Sequence, residues 1–97
     1  MKLPETIRSK LTVKKLKQVE PTVRSVTLEL GQDHDGDPAL FLRIILDDSV
    51  TDQQLLTPKL QPLRDWVYKA VWQGTDFQIY PYVRFVRAVE DKELALA

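Results

Sequence analysis

The fold is decided by two runs of residues, Val23-Arg-Ser-Val-Thr-Leu-Glu-Leu30 and Ala39-Leu-Phe-Leu-Arg-Ile-Ile-Leu46. The first run alternates between apolar and polar residues, and this period of two predicts a strand with one buried and one solvated face. The second run is almost continuously apolar, which predicts a strand covered on both faces. The loop between them, Gly31-Gln-Asp-His-Asp-Gly-Asp-Pro38, is polar and rich in turn residues. The two runs therefore predict a β-hairpin that the rest of the chain must bury.

The composition is that of one small globular domain. The chain has 97 residues, of which 43% are hydrophobic and 29% charged, enough for one core. We divide it into a basic N-terminal helix or arm (1–20), a core (22–89) and a tail (90–97). The sequence has no cysteine, no apolar run of the roughly 20 residues that span a bilayer and no apolar secretory segment near its start. We therefore expect a cytoplasmic location and no membrane partner.

The sequence on either side of the hairpin predicts the helices and the third strand that would bury it. Pro4 suits the first turn of an N-terminal helix, although a short helix followed by an extended piece fits equally well. Thr51 and Gln54 match a helix capping box, while Pro58 and Pro62 rule out one unbroken helix. A second helix then runs from about residue 61 to 73, and a last strand from 82 to 89.

The resulting order is α-β-β-α-α-β. It predicts an α+β fold in which the hairpin and a third strand form one sheet. A kinked helix and the N-terminal helix cover one face of that sheet. The predicted core consists of Val26, Leu28, Leu30, Leu40, Leu42, Ile44, Leu46, Leu63, Trp66, Val67, Ala70 and Phe85.

This layout resembles type II KH domains, and the ribosome-binding factor A family in particular. The resemblance lies in the order of the elements and in Pro81-Tyr-Val-Arg-Phe-Val86, which looks like the start of that family's last strand. It implies an RNA-binding or ribosome-associated module. The chain lacks the Gly-x-x-Gly loop of KH domains, since its only glycines are Gly31, Gly36 and Gly74. It is also similar to short bacterial α+β proteins, some of which accompany toxin–antitoxin modules.

The net charge of zero hides an uneven distribution. Residues 1–20 hold six cations and two acids, whereas residues 29–52 hold seven acids and one cation. A basic segment of this kind contacts phosphates or forms a solvated face, and no aromatic residue interleaves the lysines. The residues that would contact RNA are Lys10, Lys14, Lys15, Lys17 and Arg87.

The loop Asp33-His-Asp-Gly-Asp37 is the most conspicuous motif. Alternating aspartates can gather a hard cation, but the glycine and the twelfth position, Ile44, do not fit an EF-hand. We interpret the motif as a polar hairpin loop and expect no metal site. His34 is the only histidine, and no nucleophile motif or phosphate-binding glycine loop accompanies it. We therefore expect no enzymatic activity and no cofactor.

Two aromatic residues fall outside the predicted core. Trp72 lies nearly opposite the apolar stripe of its helix, and Tyr68 lies one turn before it, with Arg64 at the border. Trp and Tyr are enriched at the anchoring positions of protein interfaces. These residues favour a non-enzymatic module that binds another protein, or a second copy of itself, through an exposed helix face and an unpaired sheet edge. It would be an accessory partner in a bacterial system, and the KH-like RNA-binding module is the alternative.

Overall fold

The computed structural model describes residues 3–56 and 58–89, and it confirms the hairpin. Strand β1 spans Val23–Gln32 and pairs antiparallel with β2, which spans Pro38–Leu46. Leu28 faces Leu42 across this pair. Each strand extends past its predicted end at the loop, because the turn itself needs only residues 33–37.

Strand β3 spans Tyr80–Arg87 and runs parallel to β2, so that β2 is the central strand of a mixed sheet with the order β1-β2-β3. The strand begins earlier than the predicted residue 82. Asp76 and Phe77 have φ values of 53° and 64°. A left-handed turn at these two residues therefore changes the direction of the chain before it enters β3.

The helices between β2 and β3 form the crossover that a parallel pair requires. Helix α3 spans Asp52–Leu56, a 3-10 turn spans Pro58–Leu60, and α4 spans Gln61–Val71. The predicted capping box is present: the Thr51 amide donates to Gln54 Oε1 at 2.9 Å, and the Gln54 amide donates to Thr51 Oγ1 at 3.2 Å. Helix α4 ends two residues before the predicted residue 73, and a 3-10 turn over Gln73–Thr75 follows.

The basic N-terminal segment is folded against the sheet. Helix α1 spans Glu5–Arg8, a 3-10 turn spans Ser9–Leu11, and α2 spans Val13–Val19. The Thr12 hydroxyl caps α2 by accepting the Lys15 amide at 3.3 Å, a role for which the sequence analysis had not singled it out. The apolar side chains of this segment are buried in the main core, namely Leu3, Ile7, Leu11 and Leu16.

The hydrophobic core lies between the helices and one face of the sheet, as predicted. Seven predicted members are buried: Leu40, Leu42, Ile44, Leu46, Leu63, Val67 and Ala70. Four pack against the core while half-buried: Val26, Leu28, Leu30 and Phe85. The prediction for Trp66 is wrong, because its side chain is 36% exposed. It lies at the margin of the apolar stripe of α4, where its indole N–H donates to the Lys10 carbonyl at 3.0 Å.

The second face of the sheet is partly open, so the prediction that β2 is covered on both faces is wrong. Residues that alternate with the core positions lie on this face, and Phe41 there is 38% exposed. At the far end of the same face Ile45 and Val86 are buried. We call the exposed part the open face; it is formed by Thr27, Glu29, Phe41, Arg43, Tyr82 and Arg84. The covered and open faces together give the predicted α+β architecture.

Two expectations from the sequence remain, one about membrane-spanning helices and one about the C-terminal tail. Within residues 3–56 and 58–89, no helix is both long and apolar enough to cross a membrane. The predicted tail, residues 90–97, lies outside the described residues.

Candidate functional site

Six aromatic side chains form one continuous surface around the N-terminal end of β3. Tyr82 stacks on Phe41 with ring centroids 5.4 Å apart, and Tyr80 packs edge-on against Tyr82 at 5.1 Å. Trp72 lies 5.3 Å from Tyr80. The remaining two members, at the ends of the cluster, are Tyr68 and Phe77. We call these six residues the aromatic surface.

The backbone explains why these rings meet. Tyr80 and Tyr82 are two residues apart on β3 and so lie on the same face. The register of the parallel pair sets Phe41 beside Tyr82. The left-handed turn after α4 folds Phe77 back, and its amide donates to the Trp72 carbonyl at 2.8 Å. The aromatic surface therefore depends on three separate segments of the chain.

The three residues predicted for protein binding lie at or beside this surface. Tyr68 is 40% exposed, as its position on α4 predicts. Trp72 is half-buried and not bare, because Phe77 and Tyr80 pack against it. Arg64 lines a hollow together with Tyr68 and Tyr80, and its guanidinium lies 4.8 Å from the centre of the Phe85 ring.

The five residues predicted to contact RNA do not form one patch. Lys14, Lys15 and Lys17 lie on α2, which packs against β1. Arg87 lies on β3 at the other edge of the sheet, and its guanidinium pairs with the Asp52 carboxylate at 2.8 Å. The fifth residue is Lys10, whose carbonyl accepts the hydrogen bond from Trp66. Arg87 is therefore separated from the lysines of α2 by the width of the sheet, and the five residues do not form one continuous basic surface.

The acidic loop is a tightly bonded turn. Asp33 Oδ1 accepts the amides of Asp35 at 2.9 Å and Asp37 at 3.0 Å, and Gly36 supplies the positive φ of 83° that the turn requires. Carboxylate oxygens of the three aspartates lie within 4.8 Å of one another. Both Asp33 oxygens already accept protein hydrogen bonds, the second from the Tyr82 hydroxyl at 3.1 Å. His34 is exposed beside Asp35, with Nε2 3.5 Å from its Oδ2.

The bond between Asp33 and Tyr82 fastens this loop to the aromatic surface. Partial desolvation raises the pKa of Asp33, but hydrogen bonds from the Asp37 amide, the Tyr82 hydroxyl and the Asp35 amide, together with the charge of His34, outweigh it and lower the pKa. The pKa of Tyr82 is raised, above all because its hydroxyl donates to Asp33. The ionisation of Asp33 in the loop and that of Tyr82 in the aromatic surface are thus coupled.

We predict that Asp33→Asn lowers the pKa of Tyr82 toward the ordinary value of 10.0. The amide keeps the oxygen that accepts the loop amides, but it removes the negative acceptor that favours the protonated phenol. A spectrophotometric titration of phenolate absorbance measures the change. Comparison with Tyr82→Phe identifies the transition that belongs to Tyr82.

Asp35→Asn is the matched control for this titration. Asp35 acts on Tyr82 only through its charge, so its removal should shift the tyrosine pKa by a smaller amount. Equal shifts in the two variants would mean that the hydrogen bond does not control the ionisation of Tyr82.

Two shallow grooves flank Tyr82. One, of about 380 Å³, runs over the open face past Glu29, Arg43 and Arg84. The other, of about 400 Å³, lies between the acidic loop and the rings of Trp72, Phe77 and Tyr80. Arg43 and Arg84 therefore lie on one side of an apolar centre and the acidic loop on the other, with Glu29 level with Phe41 on the edge strand. This arrangement suits recognition of a surface with its own apolar and charged groups.

Sequence reasoning missed four members of the aromatic surface: Phe41, Phe77, Tyr80 and Tyr82. The spacing of Tyr80 and Tyr82 was a usable signal, because two aromatics separated by one residue on a strand share a face. Their meeting with Phe41 depends on the parallel register, which the sequence does not reveal.

Comparison of the chain with models of protein families, with curated proteins and with solved structures found no match. The resemblance to type II KH domains and ribosome-binding factor A therefore stays a prediction.

Proposed function

We propose that this protein is a small non-enzymatic interaction module that binds another protein, or a second copy of itself, through the aromatic surface. The observation that carries the proposal is the exposure of rings that already stack on one another. Phe41, Tyr80 and Tyr82 are 38 to 40% exposed, and Phe77 is 60% exposed. Their mutual packing lowers the entropy that binding must remove, because the rings are held in place before a partner arrives.

The polarity around the rings also supports a protein partner. Aromatic residues and arginine are the side chains most enriched at binding hot spots, and Arg43 and Arg84 lie beside the Phe41–Tyr82 stack. Asp33 and Asp37 line the groove on the other side. An apolar centre with charged groups of both signs at its rim is the usual anatomy of a protein interface.

The alternative, RNA binding, has one favourable observation. Bases stack on exposed aromatic rings, and arginines beside such rings contact phosphates. The acidic loop opposes it, because Asp33, Asp35 and Asp37 lie next to the same rings and would repel a phosphate backbone. We therefore favour the protein partner. Its setting would be the cytoplasm, because a chain without cysteine has none of the disulfides that are common in secreted proteins.

Site-specific photocrosslinking in living cells tests the proposal. A benzophenone-bearing phenylalanine replaces Phe77 in one variant and Phe41 in another, since both rings are exposed and the substitution extends an existing aromatic ring. We expect protein adducts from both positions. The matched control carries the same residue at Gln53, which is exposed on α3 away from the aromatic surface, and should give few adducts.

The chemical nature of the adducts decides between the functions. A protein adduct at Phe77 or Phe41 in clear excess over the Gln53 control supports the proposal, and an adduct of twice the chain mass identifies a second copy. Adducts that are sensitive to ribonuclease would support the RNA alternative instead. Equal yields from all three positions would remove the aromatic surface as a specific binding site.

A further inference from the structure

The open face and the acidic loop form a sequence of three zones along the strands. The acidic loop lies before the N-terminal ends of β2 and β3, next to Tyr80. The rings of Phe41 and Tyr82 follow, and then the cross-strand neighbours Arg43 and Arg84. Along β2 and β3 the order from one end to the other is acidic, aromatic and basic, while Glu29 on the edge strand β1 is level with Phe41.

The spacing of these zones is nearly symmetric about the tyrosines. Ala39 is level with Tyr80 and Arg43 with Arg84, so that Asp37 lies two residues before Tyr80 and Arg84 two residues after Tyr82. The midpoint between acid and arginine therefore falls between Tyr80 and Tyr82. Each charged zone lies about three residues from that midpoint, or about 10 Å at the rise of a strand.

We propose that a second copy of this chain docks face to face on this surface, with its strands antiparallel to those of the first. A twofold axis in the plane of contact, perpendicular to the strands between Tyr80 and Tyr82, places the arginines of each copy over the acidic loop of the other. The aromatic rings of the two copies meet on the axis. This inference rests on the proposed function and names its partner.

Symmetry explains why a single patch carries both signs of charge. An isologous contact must be complementary to itself, so each charged group needs an opposite group at the same distance across the axis. An axis parallel to the strands would instead set acidic loop against acidic loop. The net charge of zero leaves no overall repulsion between copies.

The size of the surface sets the expected affinity. Three strands about 4.8 Å apart and about six residues of length give a footprint on the order of 300 Å², below the roughly 800 Å² per partner of a standard interface. The dimer should therefore be weak and exchange quickly. Sedimentation over a wide concentration range is the measurement that detects it.

A charge-swap experiment tests the geometry. Arg84→Glu and Asp37→Arg each place like charges opposite one another in a homodimer, so each variant alone should dimerise about tenfold more weakly than the parent, or worse. In an equimolar mixture, one half of the contact pairs the introduced glutamate with the introduced arginine, and the other half pairs native Arg84 with native Asp37. The mixture should therefore regain most of the parent's association.

The controls carry the same charge changes away from the open face. Lys15→Glu on α2 and Asp48→Arg in the loop after β2 change exposed positions outside the open face and the aromatic surface, and they should leave dimerisation unchanged, alone or mixed. Circular dichroism verifies that all four variants are folded.

Recovery in the Arg84→Glu and Asp37→Arg mixture supports the antiparallel dimer. A parent that stays monomeric at millimolar concentration overturns it, as does a dimer that the two variants do not weaken or whose mixture does not recover. The proposed function survives these failures if the photocrosslinks join Phe77 or Phe41 to a different protein.

Discussion

Replacing Leu42 by Ala should lower the free energy of unfolding by about 2–5 kcal/mol, the usual cost of truncating a large buried aliphatic residue. Leu42 is 2% exposed in the middle of the central strand, with a neighbouring strand on each side. The surrounding side chains cannot close the cavity without moving strand β2 itself. Urea denaturation at equilibrium measures the change in the free energy of unfolding.

Leu28→Ala is the matched control, because it makes the same chemical change on the same face. Leu28 lies directly opposite Leu42 on β1, an edge strand, and it is only half-buried. Since the cost follows the apolar area removed from water, Leu28→Ala should destabilise the protein clearly less. Equal effects would contradict the assignment of β2 as the centre of the core.

Leu16→Ala should have an effect of the same size, about 2–5 kcal/mol, although Leu16 belongs to the basic N-terminal segment. Its side chain is 0% exposed and lies in the same cluster as the sheet residues. The loss would be read from the midpoint and slope of a urea unfolding curve. A free basic arm would show no such dependence.

Lys14→Ala serves as the control for this second substitution. Lys14 is exposed on the same helix, and alanine is a better helix former, so the change should stay within about 0.5 kcal/mol. A stable Leu16→Ala variant with an unshifted midpoint would show that α2 is dispensable for the fold.

Local patterns were enough to predict most of the architecture. Alternation in β1 and the apolar run of β2 located the hairpin, and the Thr51–Gln54 box located the start of α3. These signals act over a few residues, where sequence and structure are directly linked. Leu3, Ile7 and Leu11 are all buried, but the short segments around them left helix and arm equally plausible.

Errors arose where distant segments decide the outcome. Trp66 was assigned to the core because of its helical position, but its indole lies at the margin, where it bonds to Lys10. Trp72 was predicted to be bare, and a left-handed turn at non-glycine residues brings Phe77 onto it. The composition of the aromatic surface depends on the register between β2 and β3, and no local pattern specifies that register.

The parallel pairing of β2 and β3 has a consequence for the order of folding. The hairpin closes over a short loop, whereas β3 is joined to β2 through the long crossover of α3 and α4, and contacts of long sequence separation form slowly. Phe41 belongs to the early hairpin, while Tyr80 and Tyr82 belong to the strand that arrives last. A nascent or partly unfolded chain thus carries an incomplete aromatic surface, so the proposed binding would be acquired only when folding is finished.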